Sequence, residues 1–157
     1  LMRIALERPD TPAIVALIDA LDAYQKPLYP AESHHGIDMH ALTAPGVLFA
    51  VARDGSGEPC GCGAVVLMPD YGELKRMYVP PAARGRGIGS SLLEYLERQA
   101  LLHHCTLMRL ETGIRQPEAL GLYMRAGYVK RGPFGDYRPD PNSVFMEKPL
   151  CAASSAA

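Results

Sequence analysis

The segment Arg84-Gly85-Arg86-Gly87-Ile88-Gly89-Ser90 constrains this chain more than any other stretch. It follows a strand-like run over 73–79 and the pair Pro80-Pro81. It opens a helix whose Ile88, Leu92, Leu96 and Ala100 fall on one stripe. A strand that turns through alternate glycines into an amphipathic helix reads as an α/β domain. The first amides of a helix lack intrahelical partners, and the helix dipole adds positive potential at that end. Glycine permits positive φ and close approach of the backbone. The turn therefore suits a phosphate or pyrophosphate, with Arg84 and Arg86 adding formal charge. Taken alone, it also reads as a tight connection carrying solvated arginines.

The remaining pattern agrees with a mixed sheet. Residues 2–7 read as a weak strand, and Thr11-Pro12 caps and starts a helix over 12–23 with Ile14, Leu17, Ile18 and Leu21 on its apolar face. Pro27, Pro30, Gly36 and Pro45 then break the pattern, leaving room for a short helix near 36–43. Strands over 47–53 and 60–68 are joined by Asp54-Gly55-Ser56-Gly57, a hairpin signal. A strand over 105–112 precedes a helix that Pro117 opens and Gly127 closes at C′. The last strands are expected over 128–131 and 144–148. The predicted order is β-α-α-β-β-β-α-β-α-β-β. Residues 1–150 are expected to form one domain, and 151–157 a disordered tail.

Composition excludes more than it assigns. Sixteen Lys and Arg against seventeen Asp and Glu give a net charge of -1, so neither nucleic acid nor an anionic membrane is an expected partner. No apolar run approaches a membrane span and no leader is read before the fold, which makes the cytoplasm the expected location. Cys60, Cys62, Cys105 and Cys151 match no zinc-ligand spacing and read as reduced thiols, with Cys60 and Cys62 expected on opposite faces of their strand. His34, His35 and His40 lie with Glu32 and Asp38 at spacings that fit no helical ligand pair, so no metal is expected.

Spacing narrows the phosphate ligand. A Walker A loop ends in Gly-Lys-Ser/Thr, which is absent. The dinucleotide fingerprint needs glycine at its sixth position, but Ser90 or Leu92 stands there. The turn instead resembles the Gln/Arg-x-x-Gly-x-Gly/Ala signature of the GNAT (Gcn5-related N-acetyltransferase) superfamily, through Arg84, Gly87 and Gly89. Glu73-Leu74-Lys75-Arg76-Met77-Tyr78-Val79 resembles that family's fourth strand, and Leu120 to Tyr128 its Leu-Tyr-x-x-x-Gly-Phe/Tyr segment. The resemblance implies a mostly antiparallel sheet of about seven strands flanked by helices, with a bulge in strand 4 that splays it from strand 5 into a V. It implies acetyl-CoA as co-substrate. Its pantetheine would pair with the backbone at Met77, Tyr78 and Val79, and its pyrophosphate would meet Arg84, Gly85, Arg86, Gly87, Ile88, Gly89 and Ser90. Gln116 stands nearest the position where the family carries an asparagine that contacts CoA.

Acetyl transfer to an amine needs a neutral amine, a polarised carbonyl and a proton for the departing thiolate. Tyr123 matches the family tyrosine that acts as general acid. Glu73 is a candidate base, since some relatives carry a glutamate there; it reads equally as a salt-bridged strand residue, and Glu111 is a second candidate. Strand alternation, before any bulge, would put Glu73, Lys75, Met77 and Val79 on one face. Tyr29, Glu32 and His35 on one side, with Tyr137 and Arg138 on the other, are candidate acceptor contacts suited by charge to an amino acid or related small amine. A protein amine, or a CoA-binding module without catalysis, are the alternatives. A monomer or homodimer is expected.

Overall fold

The computed structural model describes residues 1–34 and 36–151. The elements run β1 (Arg3–Leu6), α1 (Pro12–Gln25), α2 (Met39–Leu42), β2 (Val47–Arg53), β3 (Pro59–Leu67), β4 (Gly72–Tyr78), α3 (Ile88–Leu102), β5 (Leu107–Gly113), α4 (Pro117–Arg125), β6 (Val129–Arg131) and β7 (Ser143–Pro149). They form a seven-stranded sheet in the order β1-β2-β3-β4-β5-β7-β6. Every neighbouring pair is antiparallel except β4 and β5. This is the mixed sheet that the sequence pattern and the resemblance imply.

Local chemistry explains the joints. In the β2–β3 hairpin, Asp54 Oδ1 accepts from the amides of Ser56 at 2.9 Å and Glu58 at 3.1 Å, and Gly57 takes φ +88°. Pro12 starts α1 after Thr11, and Gly127, at φ +99°, ends α4. Helix α1 buries Ile14, Leu17, Ile18 and Leu21 on one face of the sheet, against Phe49, Val51 and Cys62. Helix α3 buries Leu92, Leu93, Leu96 and Ala100 on the other, and α4 packs Leu120 and Leu122 against the same cluster.

Two strand irregularities shape the molecule. Ala52 pairs with Gly61 but Arg53 with Pro59, so an extra residue at Cys60 bulges β3. Cys60 consequently faces α3 and Cys62 faces α1. The opposite faces expected for these thiols are observed, but the bulge produces them; simple alternation puts residues two apart on the same side.

The second bulge lies in β4. Lys75 pairs with Ala64 and Tyr78 with Cys62, leaving Arg76 and Met77 opposite a single residue. Arg76 takes φ +59°, rare for a side chain of that size. Its guanidinium holds the kink by donating to the Ile37 carbonyl at 2.7 Å and to Asp22 of α1. The single face that alternation gives Glu73, Lys75, Met77 and Val79 before any bulge is therefore broken at Arg76. Glu73 and Lys75 face the α1 side, whereas Met77 and Val79 pack against the α3 cluster.

Parallel pairing of β4 with β5 runs only from Gly72↔Met108 to Leu74↔Leu110. Beyond Leu74 the kinked strand diverges from β5, and the sheet opens into a V. The segment between α1 and α2 also differs from expectation. The helix near 36–43 is confined to Met39–Leu42, capped by the Asp38 carboxylate, and 3-10 turns occupy Lys26–Leu28 and Ala31–Ser33. Three prolines and a glycine within 27–45 shorten every helical run. The expected tail beyond Cys151 lies outside the described residues.

Candidate active site

The V between β4 and β5 is a cleft lined by Glu73, Met77, Glu111, Gln116 and Tyr123, with Tyr29 over it. The glycine-rich turn lies apart from this cleft, between β4 and the start of α3. Gly85 and Gly87 take φ +83° and +74°, and no protein atom lies within 4 Å of where a Cβ on either would sit. The space above the first turn of α3 is open to a ligand, and the amides at its start point there. Gly89 is different. A Cβ on it would lie 3.2 Å from Leu122, so its absence allows α4 to approach α3. Arg86 and Ser90 are exposed, while Arg84 donates to the Val79 carbonyl at 3.0 Å and lies over the Tyr24 ring. Tyr78 and Ile88 turn their side chains into the core, leaving only their backbones for a ligand.

Tyr123 is 6% exposed on α4, edge-on to Tyr128, and its hydroxyl makes no hydrogen bond among the described residues. Burial, with a smaller contribution from the Glu111 charge, pushes its phenol well above the usual tyrosine range. It stays protonated at any working pH.

Glu73, on β4 at the base of the V where that strand still pairs with β5, is 9% exposed. Tyr137 donates to its Oε2 at 2.5 Å, and Lys75 Nζ lies 3.3 Å from the same oxygen. Lys75 also donates to the Tyr137 hydroxyl at 2.7 Å. Burial, then the bond to Glu73, raises the Tyr137 phenol far above its ordinary value, which fixes it as the donor. Glu73 is thus salt-bridged, as one of its two sequence readings has it, and it lines the cleft.

Two loops wall the cleft. Tyr29 crosses from the α1 side to the end of β5, accepts from the Arg115 amide at 3.1 Å and donates to Gln116 at 3.2 Å. Asn142 donates to Ser33 at 3.3 Å, tying the segment before β7 to the same loop. An outer groove continues past Glu73, Lys75 and Tyr137 to Glu32, Asp136 and Arg138. His35 lies outside the described residues. Among those residues no group of three or more His, Cys, Asp or Glu is arranged to hold a metal ion. Nor is any helix among them long and apolar enough to cross a membrane.

The sequence profile of the acetyltransferase (GNAT) family matches residues 14–128, a span that includes both the splayed strand pair and the glycine turn. The chain belongs to the GNAT family. It is accordingly an acyltransferase, of the acetyl-CoA-dependent N-acetyltransferase class. The IAA acetyltransferase of Azospirillum brasilense is 49% identical over 149 residues, covering 94% of this chain and 97% of that protein. An uncharacterized N-acetyltransferase of Escherichia coli K12 is 34% identical over 89% of each chain. Among solved structures, a Klebsiella pneumoniae protein classed as an acyl-CoA N-acyltransferase superimposes with a TM-score of 0.83 at 41% identity, covering 96% of this chain and 99% of that one. The Thermoplasma acidophilum PaiA N-acetyltransferase, solved with coenzyme A, shares the fold at a TM-score of 0.72 and 16% identity.

Of the residues that this GNAT sequence singles out, the inner cleft brings together Tyr29, Glu73, Met77, Gln116, Tyr123 and Tyr137. Glu32 and Arg138 lie only along the outer groove, and the glycine turn stands apart from both. Sequence reasoning assigned no role to Lys75, Arg76, Asn142 or Tyr24. Each acts through a partner at least 39 positions away, except Lys75 toward Glu73, two positions away on the same face. That i, i+2 pairing of opposite charges was the one available signal.

Proposed function

We propose that this protein moves the acetyl group of acetyl-CoA onto the primary amine of a small molecule, by direct attack in a ternary complex. The observation that carries the reading is one cleft lined by a protonated Tyr123 from α4 and a carboxylate, Glu73, from β4, together with an open helix start where β4 leads into α3. Pantetheine extends β4 as an added strand along Met77, Tyr78 and Val79, where β5 has diverged. The pyrophosphate rests on Arg84, Gly85, Arg86, Gly87 and Ser90, with the Ile88 and Gly89 amides behind them. Gln116 flanks the pantetheine. No metal takes part.

The acceptor enters past Glu32, Tyr137 and Arg138. Its ammonium gives a proton to Glu73, directly or through water. The nitrogen lone pair then forms the C–N bond, the C–S bond breaks and Tyr123 protonates the departing sulfur, while the nitrogen sheds its second proton through water, which restores the Tyr123 phenol. Burial keeps Tyr123 protonated but makes it a weaker acid, so the help it gives lies nearer tenfold than thousandfold. The ties of Tyr29 to Gln116 and of Asn142 to Ser33 roof the cleft, which favours a small acceptor such as an amino acid over an extended peptide.

The test is thiol release from acetyl-CoA against a panel of small amines and peptides. Turnover with small amines supports the reading. Tight CoA binding without turnover on any amine would make the protein a binding module, and preference for peptides would move the acceptor class.

A further inference from the structure

The loop between β6 and β7 is locked in place. Phe134 and Phe145, both buried, take the Tyr137 ring edge-on at centroid distances of 5.1 and 5.3 Å. Tyr71 stacks on Phe134 at 5.5 Å, and the Tyr137 amide bonds to the Phe134 carbonyl at 3.1 Å. A Cβ on Gly135, already at φ +57°, would lie 2.9 Å from the Tyr71 hydroxyl. Four packed rings thus aim one hydroxyl at one carboxylate. The order of donation is Lys75 ammonium to Tyr137 oxygen, and Tyr137 hydroxyl to Glu73 Oε2. Both contacts fall on Oε2, and Glu73 Oε1 makes no hydrogen bond among the described residues. Glu73 lines both the inner cleft and the outer groove.

We propose that Tyr137 is the positioning residue of the acceptor side: it pins Glu73 by Oε2 and so presents Oε1 to the incoming ammonium. This rests on the reading of Glu73 as the group that meets the amine. Lys75 supplies the charge that makes the chain Lys75–Tyr137–Glu73 directional, and charge-assisted bonds of this kind are the strong ones. Without the hydroxyl the carboxylate rotates toward Lys75, and Oε1 leaves the path of the amine. A displacement of about 1 Å at a reacting group is enough to lower the rate substantially.

Because the residue acts through another, a double-mutant cycle tests it. Tyr137→Phe keeps the ring on Phe134 and Phe145 and removes only the hydroxyl. With one active amine, Tyr137→Phe is expected to lower kcat about tenfold and Glu73→Gln about a hundredfold. The double variant should equal Glu73→Gln alone, because no carboxylate remains to be held. Acetyl-CoA affinity of Tyr137→Phe should match wild type, and its urea midpoint should fall only by what one charge-assisted bond contributes, at unchanged m. Multiplied losses in the double variant, or full activity of Tyr137→Phe, would overturn the positioning role while leaving the reading of Glu73 standing. Full activity of Glu73→Gln would overturn that reading, and this inference with it.

Discussion

Replacing Gly113 by alanine perturbs the roof of the cleft through a single methyl. Gly113 is buried at the end of β5, and its φ lies outside the left-handed region, so alanine introduces no backbone strain. The methyl would instead collide with the hydroxyl and the ring of Tyr29, which rests directly on the glycine. Tyr29 must then leave. It gives up its bonds to the Arg115 amide and to Gln116, two neutral bonds at about 1 kcal/mol each. The half-buried ring adds about 1 kcal/mol of lost apolar contact. Gly113→Ala is therefore expected to cost about 2–3 kcal/mol in urea unfolding, read from the midpoint at unchanged m. Tyr29→Ala should cost about the same. The pair together should cost no more than either alone, because the methyl then has nothing to strike. An additive double variant, or a Gly113→Ala cost below about 0.5 kcal/mol, would refute the seating of Tyr29 on β5.

Other outcomes follow from the same geometry. Tyr123→Phe should lower kcat roughly tenfold with acetyl-CoA affinity unchanged by calorimetry; weakened binding at normal kcat would make the hydroxyl a binding group. Gly87→Val should badly weaken CoA binding, because the N-cap of α3 sits at φ +74°, where a β-branched residue is strained, and because the side chain would fill the open cradle. Normal CoA affinity in that variant would place the cradle elsewhere. Burial pushes the Cys62 thiol up to about 12, so it is protonated and inert at pH 8, whereas Cys151 is exposed. Mass spectrometry after brief alkylation of the folded chain should show label on Cys151 and none on Cys62, and early modification of Cys62 would contradict its burial.

The sheet was readable where local chemistry decides it. The Asp54 hairpin, Pro12 and Pro117 at helix starts, and Gly127 at a helix end each act within a few residues. The glycine turn was readable for the same reason, since a positive φ at Gly85 and Gly87 is a demand of the backbone alone. The bulge in β4 was implied by the resemblance, but the residue that forms it was not legible. No glycine within β4 marks it, and Arg76 holds its positive φ because Asp22 and Ile37, 54 and 39 positions away, grip the guanidinium. That one residue turned Met77 away from Glu73, which alternation could not foresee. Tyr137 and Glu73 were each singled out, but 64 positions separate them, and only the aromatic packing of a loop without regular structure brings them together. The 27–45 region was the least legible, because prolines suppress the periodicity on which helix assignment depends.

The central claim is that acetyl-CoA lies in the V between β4 and β5 and delivers its acetyl group there. A structure of the protein with coenzyme A bound tests it most directly. The account predicts the pyrophosphate on the turn at 84–90, the pantetheine hydrogen-bonded along 77–79, and the sulfur within about 3–4 Å of the Tyr123 hydroxyl. Coenzyme A bound outside the V, or a sulfur facing away from both Tyr123 and Glu73, would contradict it.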